Sequence, residues 1–240
     1  MSDSSAYRHL HEQICRNQEI GAQVGALEVP RARSLARLQH WQRKRLDATY
    51  QDLRDSPRYF AACEFFLDEL YGGREVFERD QQLKRAAPVM RRFLPDHLLA
   101  AVGDAMQLQA ISLEFDLALA DILVDVDPIT QPDYARAYRQ QGDWEGRERQ
   151  LVLIRELGEL LGETVQKPLV HSLVRLMHGP AALAGFGMLQ EFLRDGLHAF
   201  AEMGPADHFL DTISAREEAA LEHMRGGSDW PFEEWIGRGP

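Results

Sequence analysis

Carboxylates and histidines are the groups in this 240-residue chain whose types and spacing could do chemistry. Glu114, Asp121 and Asp125 stand at i, i+7 and i+11 and so fall on one line of a helix, flanked by Ile111, Phe115, Leu117 and Ile122. From Ser112 to Asp133 there are six acids and no Lys or Arg. Glu114 and Asp121 are the candidate buried carboxylates of this run. A carboxylate taken out of water needs a charged partner, hydrogen bonds or a proton. The run is therefore either a functional site, or a set of ion pairs to Arg on a neighbouring helix, or a wet helix edge.

A second set could hold a metal. His171 and His178 are seven apart on one helical face, and His198 follows Glu191 and Asp195 by two turns and one. Glu64 and Asp68, four apart, form another same-side pair. Helical di-iron sites draw on Glu-x-x-His pairs, whereas this chain has a single Asp195-x-x-His198 and no Glu-x-x-His. Iron, or a non-covalent haem, is accordingly the alternative reading, and no metal ligand is assigned. Cys15 and Cys63 are the only cysteines. They make no disulfide framework, no four-ligand zinc set and no Cys-x-x-Cys-His haem attachment. Phosphate-binding Gly-x-x-x-x-Gly-Lys-Ser/Thr loops and Gly-x-Ser-x-Gly elbows are also missing from the sequence, so no catalytic residue is assigned.

The elements that must position these groups are helices. Apolar residues recur at helical spacing almost throughout, and hairpin signals are absent. Helices are expected near residues 5–20, 34–53, 57–71, 79–93, 96–123, 134–139, 143–162, 168–178, 181–202 and 206–225. Ser56-Pro57 marks a start and Gly72-Gly73 a stop. The fold predicted is all-α, a bundle-like single body of eight or nine main helices. The 96–123 helix is apolar nearly all round and so belongs at its centre. Residues 1–30 are expected as a loosely attached segment, 31–225 as the helical domain, and 226–240 as a tryptophan-containing tail.

Within the 57–71 helix, Phe65 to Tyr71 reads FFLDELY. A glycine pair follows, then an Arg/Asp-rich helix and a Pro-Val-Met-Arg-Arg-Phe-Leu-Pro stretch at 88–95. This pattern resembles a family of bacterial proteins named after an FFLEELY motif, with Asp68 in place of the first Glu, over most of the chain after residue 30. The resemblance implies a helical fold and supplies no activity or catalytic residue. The spacing itself makes Phe66, Leu67 and Leu70 core residues beside Tyr59 and Cys63. Phe65, with Tyr71 completing the motif, points to a second apolar neighbour.

Composition limits function further. The net charge of −11 disfavours nucleic acid as a partner. A basic run, Arg31, Arg33, Arg37, Arg43, Lys44 and Arg45, is expected to pair with the chain's own acids. No apolar block suits a membrane span or a secretory leader, so a cytoplasmic protein is expected. The tail carries Trp230, Phe232 and Trp235, which must dock on the chain's own helices or on a protein partner. Together these features predict a non-enzymatic helical protein that acts by binding a macromolecular partner.

Overall fold

The computed structural model describes residues 4–71, 74–165 and 187–238. Among them the chain is all-α, with eleven helices and no strand. These are α1 (Ser5–Gly25), α2 (Val29–Thr49), α3 (Gln51–Arg54), α4 (Phe60–Tyr71), α5 (Arg74–Phe93), α6 (Asp96–Ile122), α7 (Gln131–Gln141), α8 (Trp144–Val165), α9 (Gly187–Met203), α10 (Asp207–Arg225) and α11 (Glu233–Ile236). Nine are longer than a single turn. The helix expected over 168–178 lies outside the described residues. Ser56 and Pro57 form a turn that precedes α4, with Tyr59 and Phe60 N–H both donating to the Ser56 carbonyl, so this helix begins at Phe60 rather than at Pro57.

The 27-residue α6 is the centre, as its all-round apolar surface requires. It packs against α1, α2, α5, α7 and α8. Residues 5–25 are not a loose segment. Helix α1 buries Ala6, Leu10 and Ile14 along one stripe against Leu99, Met106, Leu83 and Ala87, and Ile20 is buried farther along it. The stripe is hard to read because two of its buried positions are polar, Gln13 and Asn17. Asn17 Nδ2 donates to the carbonyls of Gln13 at 2.8 Å and Met106 at 2.7 Å, which lets an amide sit in the core. Along the edge, Ser4 donates to Asp96, His9 pairs with Asp104, and Arg16 grips Glu114. Partner numbers rise together along this edge, so α1 and α6 run in the same direction. Helix α2 runs the opposite way along α6, joined by Arg31 to Asp121 and by Ser34 Oγ to the Ala120 carbonyl.

Helix α4 carries the FFLDELY segment into a second part of the core with α9 and α10. Leu67 is buried with Tyr59, Ala62 and Cys63. Phe66 is partly buried, edge-on to Phe200 and stacked on Phe209. Phe65 also lies against α9, at Gly196, where an added Cβ would sit 2.8 Å from its ring. The Leu67 carbonyl accepts from Arg43 of α2. The described part of the motif thus ties α4 to three helices by packing. The side chains of Asp68, Leu70 and Tyr71 lie outside the described residues.

Close approach of α1 to α6 depends on Gly103. A methyl there would lie 2.5 Å from the His9 ring and 3.2 Å from the Leu10 backbone nitrogen. Gly103→Ala should therefore destabilise by about 1–2 kcal/mol, although alanine gains about 1 kcal/mol of helix propensity. Urea denaturation measures this. An unchanged or raised midpoint would mean that the two helices are not in contact at this crossing.

Candidate partner groove and buried polar centre

The C-terminal segment lies in a groove made by α2, α7 and the end of α10. Thr130 caps α7, and a reciprocal bond from Asp133 fixes its first turn. This places Gln131, fully buried at the start of the helix, over the groove. Its Nε2 donates to the Gly237 carbonyl at 2.7 Å, and its Oε1 accepts from Phe232 N–H at 3.2 Å. One side-chain amide therefore bonds the segment's backbone at two places five residues apart. Gly226 and Gly227 turn the chain out of α10, and Gly227 holds the left-handed conformation that glycine tolerates.

Phe232 is 1 % exposed and fills a socket of Trp41 and Tyr134, whose rings are themselves 4.5 Å apart. The Arg45 guanidinium sits 4.4 Å from the Phe232 ring centre, a cation–π contact in a desolvated place. Arg45 also pairs with Glu217 of α10 at 2.5 Å. Glu217 accepts from the Tyr50 hydroxyl at 2.7 Å. Burial, with the Glu217 charge beside it, holds that hydroxyl well above its ordinary range, so it stays a neutral donor. At the segment's start, Arg139 donates to the Ser228 carbonyl at 2.7 Å and to Asp229 at 2.6 Å. His223 Nδ1 is 3.2 Å from the Pro231 carbonyl. Trp235 and Ile236 are partly buried against the same core, and Trp230 is half-buried beneath Arg238.

A second polar grouping lies inside the body, between α2, α6 and α8. Asp116 of α6 is 9 % exposed and accepts from Gln42 Nε2 at 3.0 Å and Gln39 Nε2 at 3.2 Å. Burial pushes its carboxyl above the ordinary aspartate range; the two glutamines and, through space, Arg147 oppose that push. Arg147 is 5 % exposed. Its guanidinium carbon lies 3.8 Å from the Phe115 ring centre and 4.1 Å from that of Tyr138. Gly146, just before it, admits this packing, since an added Cβ would be 2.8 Å from the Phe115 ring. Arg147 Nη1 reaches Gln150 Oε1 at 3.4 Å. Among the described residues its Nε and Nη2, and Gln42 Oε1, have no hydrogen-bond partner.

The sequence-predicted residues fall apart from both places. Glu114 and Asp121 are not buried: their side chains are 41 % and 47 % exposed, each held bidentately by an arginine, Arg16 and Arg31. The carboxylate that is buried, Asp116, lies off their line and was not singled out. Its sequence neighbours give no signal, because Glu114 also stands between Leu and Phe and yet is not buried; the rotation of α6 against Gln39 and Gln42 of α2 decides which acid is buried. Of the metal alternative, Glu64 pairs with Arg54, Asp195 with Arg194, and His198 with Glu202, while Glu191 is exposed. His171 and His178 lie outside the described residues, as does the side chain of Asp68. Among the described residues no three His, Cys, Asp or Glu groups come together to hold a metal. Burial pushes the Cys63 thiol up to about 11, which makes it a poor nucleophile.

Four members of the basic run of α2 meet the protein's own acids and carbonyls, while Arg33 and Lys44 are exposed. Arg31 binds Asp121, Arg37 the Val124 carbonyl, Arg43 the Leu67 carbonyl and Arg45 Glu217. No helix among the described residues is long and apolar enough to cross a membrane.

One family model matches residues 23–231, that of a domain of unknown function (DUF8198). No curated protein and no solved structure matches the chain.

Asp116 gives a pH dependence whose sign is fixed. A carboxyl whose folded pKa is raised binds its proton more readily in the folded state. Its burial therefore costs stability at neutral pH, and that cost falls away as pH drops through the folded pKa toward the ordinary aspartate range. Asp116→Asn removes this titration. Denaturation at a series of pH values should show the wild type gaining on the variant as pH falls through that window. A difference that stays constant, or that moves the other way, would place Asp116 in a wet or fully paired setting.

Proposed function

The chain belongs to this family, described only as a domain of unknown function, and on that premise we propose that it is a non-enzymatic binding module whose partner is another polypeptide. The partner segment is taken into the groove between α2 and α7, which the chain's own C-terminal segment fills. The observation that carries this reading is the amide of Gln131, which bonds the backbone of the C-terminal segment at Phe232 and at Gly237, on either side of the single turn α11. Main-chain bonds supply sequence-tolerant affinity, and a socket for one side chain supplies selectivity. The socket is aromatic and has a cation on its face, so it selects an aromatic anchor. Arg139 at the groove's mouth selects an acid ahead of that anchor, as Asp229 stands ahead of Phe232. The partner segment is therefore acidic and aromatic, with the character of Asp229-Trp230-Pro231-Phe232.

In this reading the C-terminal segment is a competitor. A tethered segment acts at an effective concentration on the order of millimolar, so a free one must exceed that or meet a loosened tether. Phe232→Ala in the full chain removes the anchor, at a cost of about 3–5 kcal/mol if the socket does not collapse. A fluorescent peptide of residues 228–240 should then bind the variant in anisotropy titrations at least tenfold more tightly than the wild type. Gln131→Ala added to Phe232→Ala should abolish that gain. If the folded single variant takes up no peptide, the groove is a structural closure alone and the reading fails.

A further inference from the structure

The interior polar centre has no role in the partner groove, and its geometry points to a ligand of its own. A guanidinium presents Nε and Nη2 on one edge as a planar fork that matches the two oxygens of a carboxylate. This protein uses that fork repeatedly. Arg16 places Nε and Nη2 on Glu114 at 2.9 and 2.5 Å, and Arg31 places both on Asp121 at 2.6 Å. Arg194 and Arg238 do the same with Asp195 and Glu233. Those four are surface or edge pairs. Arg147 is the buried counterpart, and it is the fork edge, Nε and Nη2, that carries no partner among the described residues. Leaving such donors unmet in a desolvated place costs more than leaving them unmet at the surface.

The nearby carboxylate does not close the fork. Asp116 is held by Gln39 and Gln42, and Arg147 acts on it through space. The guanidinium is held in turn by Phe115, Tyr138 and Gln150, so the direction of its fork is set. We propose that Arg147 is the anchor of an internal binding site for the carboxylate of a small organic acid. Both oxygens would be received by the Nε/Nη2 fork, with the Phe115 and Tyr138 rings bounding the site. Asp116 acts as a neighbouring negative charge that keeps the affinity modest.

The test uses the full chain and sodium acetate as probe, followed by thermal unfolding, with sodium chloride at matched ionic strength and sodium phosphate as separate arms. Ligand that binds only the folded state raises the melting temperature in proportion to the logarithm of its concentration once the site fills. Acetate should do so and chloride should not, and the part of the phosphate response that depends on Arg147 should be smaller than that of acetate, because the more highly charged ion costs more to desolvate beside Asp116. Arg147→Met should abolish the acetate response. Arg147→Lys keeps the charge without the fork and should abolish it too, which covers the case in which the methionine variant does not fold. Asp116→Asn should tighten acetate binding severalfold by removing the adjacent negative charge. An acetate response no larger than that of chloride overturns the proposal, as does one that survives at position 147 in either variant. A phosphate response that is lost in the Arg147 variants and exceeds the Arg147-dependent response to acetate would reassign the site to tetrahedral anions and overturn the carboxylate.

Discussion

Every charged group on α6 except its single histidine is an acid: Asp96, Asp104, Glu114, Asp116 and Asp121, with no Lys or Arg on the helix. A helix that must be covered on all sides cannot leave five carboxylates to chance. Each is met from a covering helix: Ser4, His9 and Arg16 of the α1 side take Asp96, Asp104 and Glu114, while Gln39, Gln42 and Arg31 of α2 take Asp116 and Asp121. Apolar packing drives the coverage, but it is nearly isotropic around α6 and does not by itself set rotation or register. The acids do. A one-residue slip of α2 would separate Arg31 from Asp121 and Gln42 from Asp116 together, and would leave a buried carboxylate without its donors.

The same arrangement explains what becomes of the positive charge. The arginines of α2 form a run that reads in isolation as a polyanion-binding face. In the fold the helix is wrapped so that four of its arginines meet side chains or carbonyls of α4, α6, α10 and the loop after α6. The exposed pairs among these contribute little to stability, about 0–1 kcal/mol each. Arg45 differs, being buried with Glu217 and lying over Phe232. It couples α2, α10 and the C-terminal segment through one guanidinium, so loss of either partner is felt by the other.

The fold class and most helix spans were legible because period and punctuation agreed: α6, α8 and α10 begin and end close to where pattern, caps and glycines place them. What was hidden follows a physical rule. Helix α1 was missed as a core element because Gln13 and Asn17 interrupt its stripe, and only the tertiary partner of Asn17, the Met106 carbonyl, makes a buried amide acceptable. Asp116 was passed over for Glu114 and Asp121 because a line of acids catches the eye. Asp116, however, faces Gln39 and Gln42 of α2, whereas Glu114 and Asp121 stand at wet edges of α6 where Arg16 and Arg31 reach them. Phe232 sits beyond the last periodic helix, and no local signal ties it to Gln131, which is 101 residues away. The Arg147 centre needed three helices to be assembled before it existed.

The unit of sequence similarity and the unit of folding differ in this chain. The family match opens at residue 23 and closes at 231. Helix α1 lies almost wholly before it, and Phe232 immediately after it. Yet Leu10, Ile14 and Phe232 are each at most 1 % exposed, among the deepest side chains of the described residues. A polypeptide trimmed to the matched span would carry α6 with its α1 face bare, including Leu99 and Met106, and would open the Trp41–Tyr134 socket to water. The margins outside the matched span are then part of the fold as well. A relative whose first twenty residues diverge must cover the same face of its central helix by other means, whether a differently patterned helix, a partner subunit or smaller, more polar residues on that face.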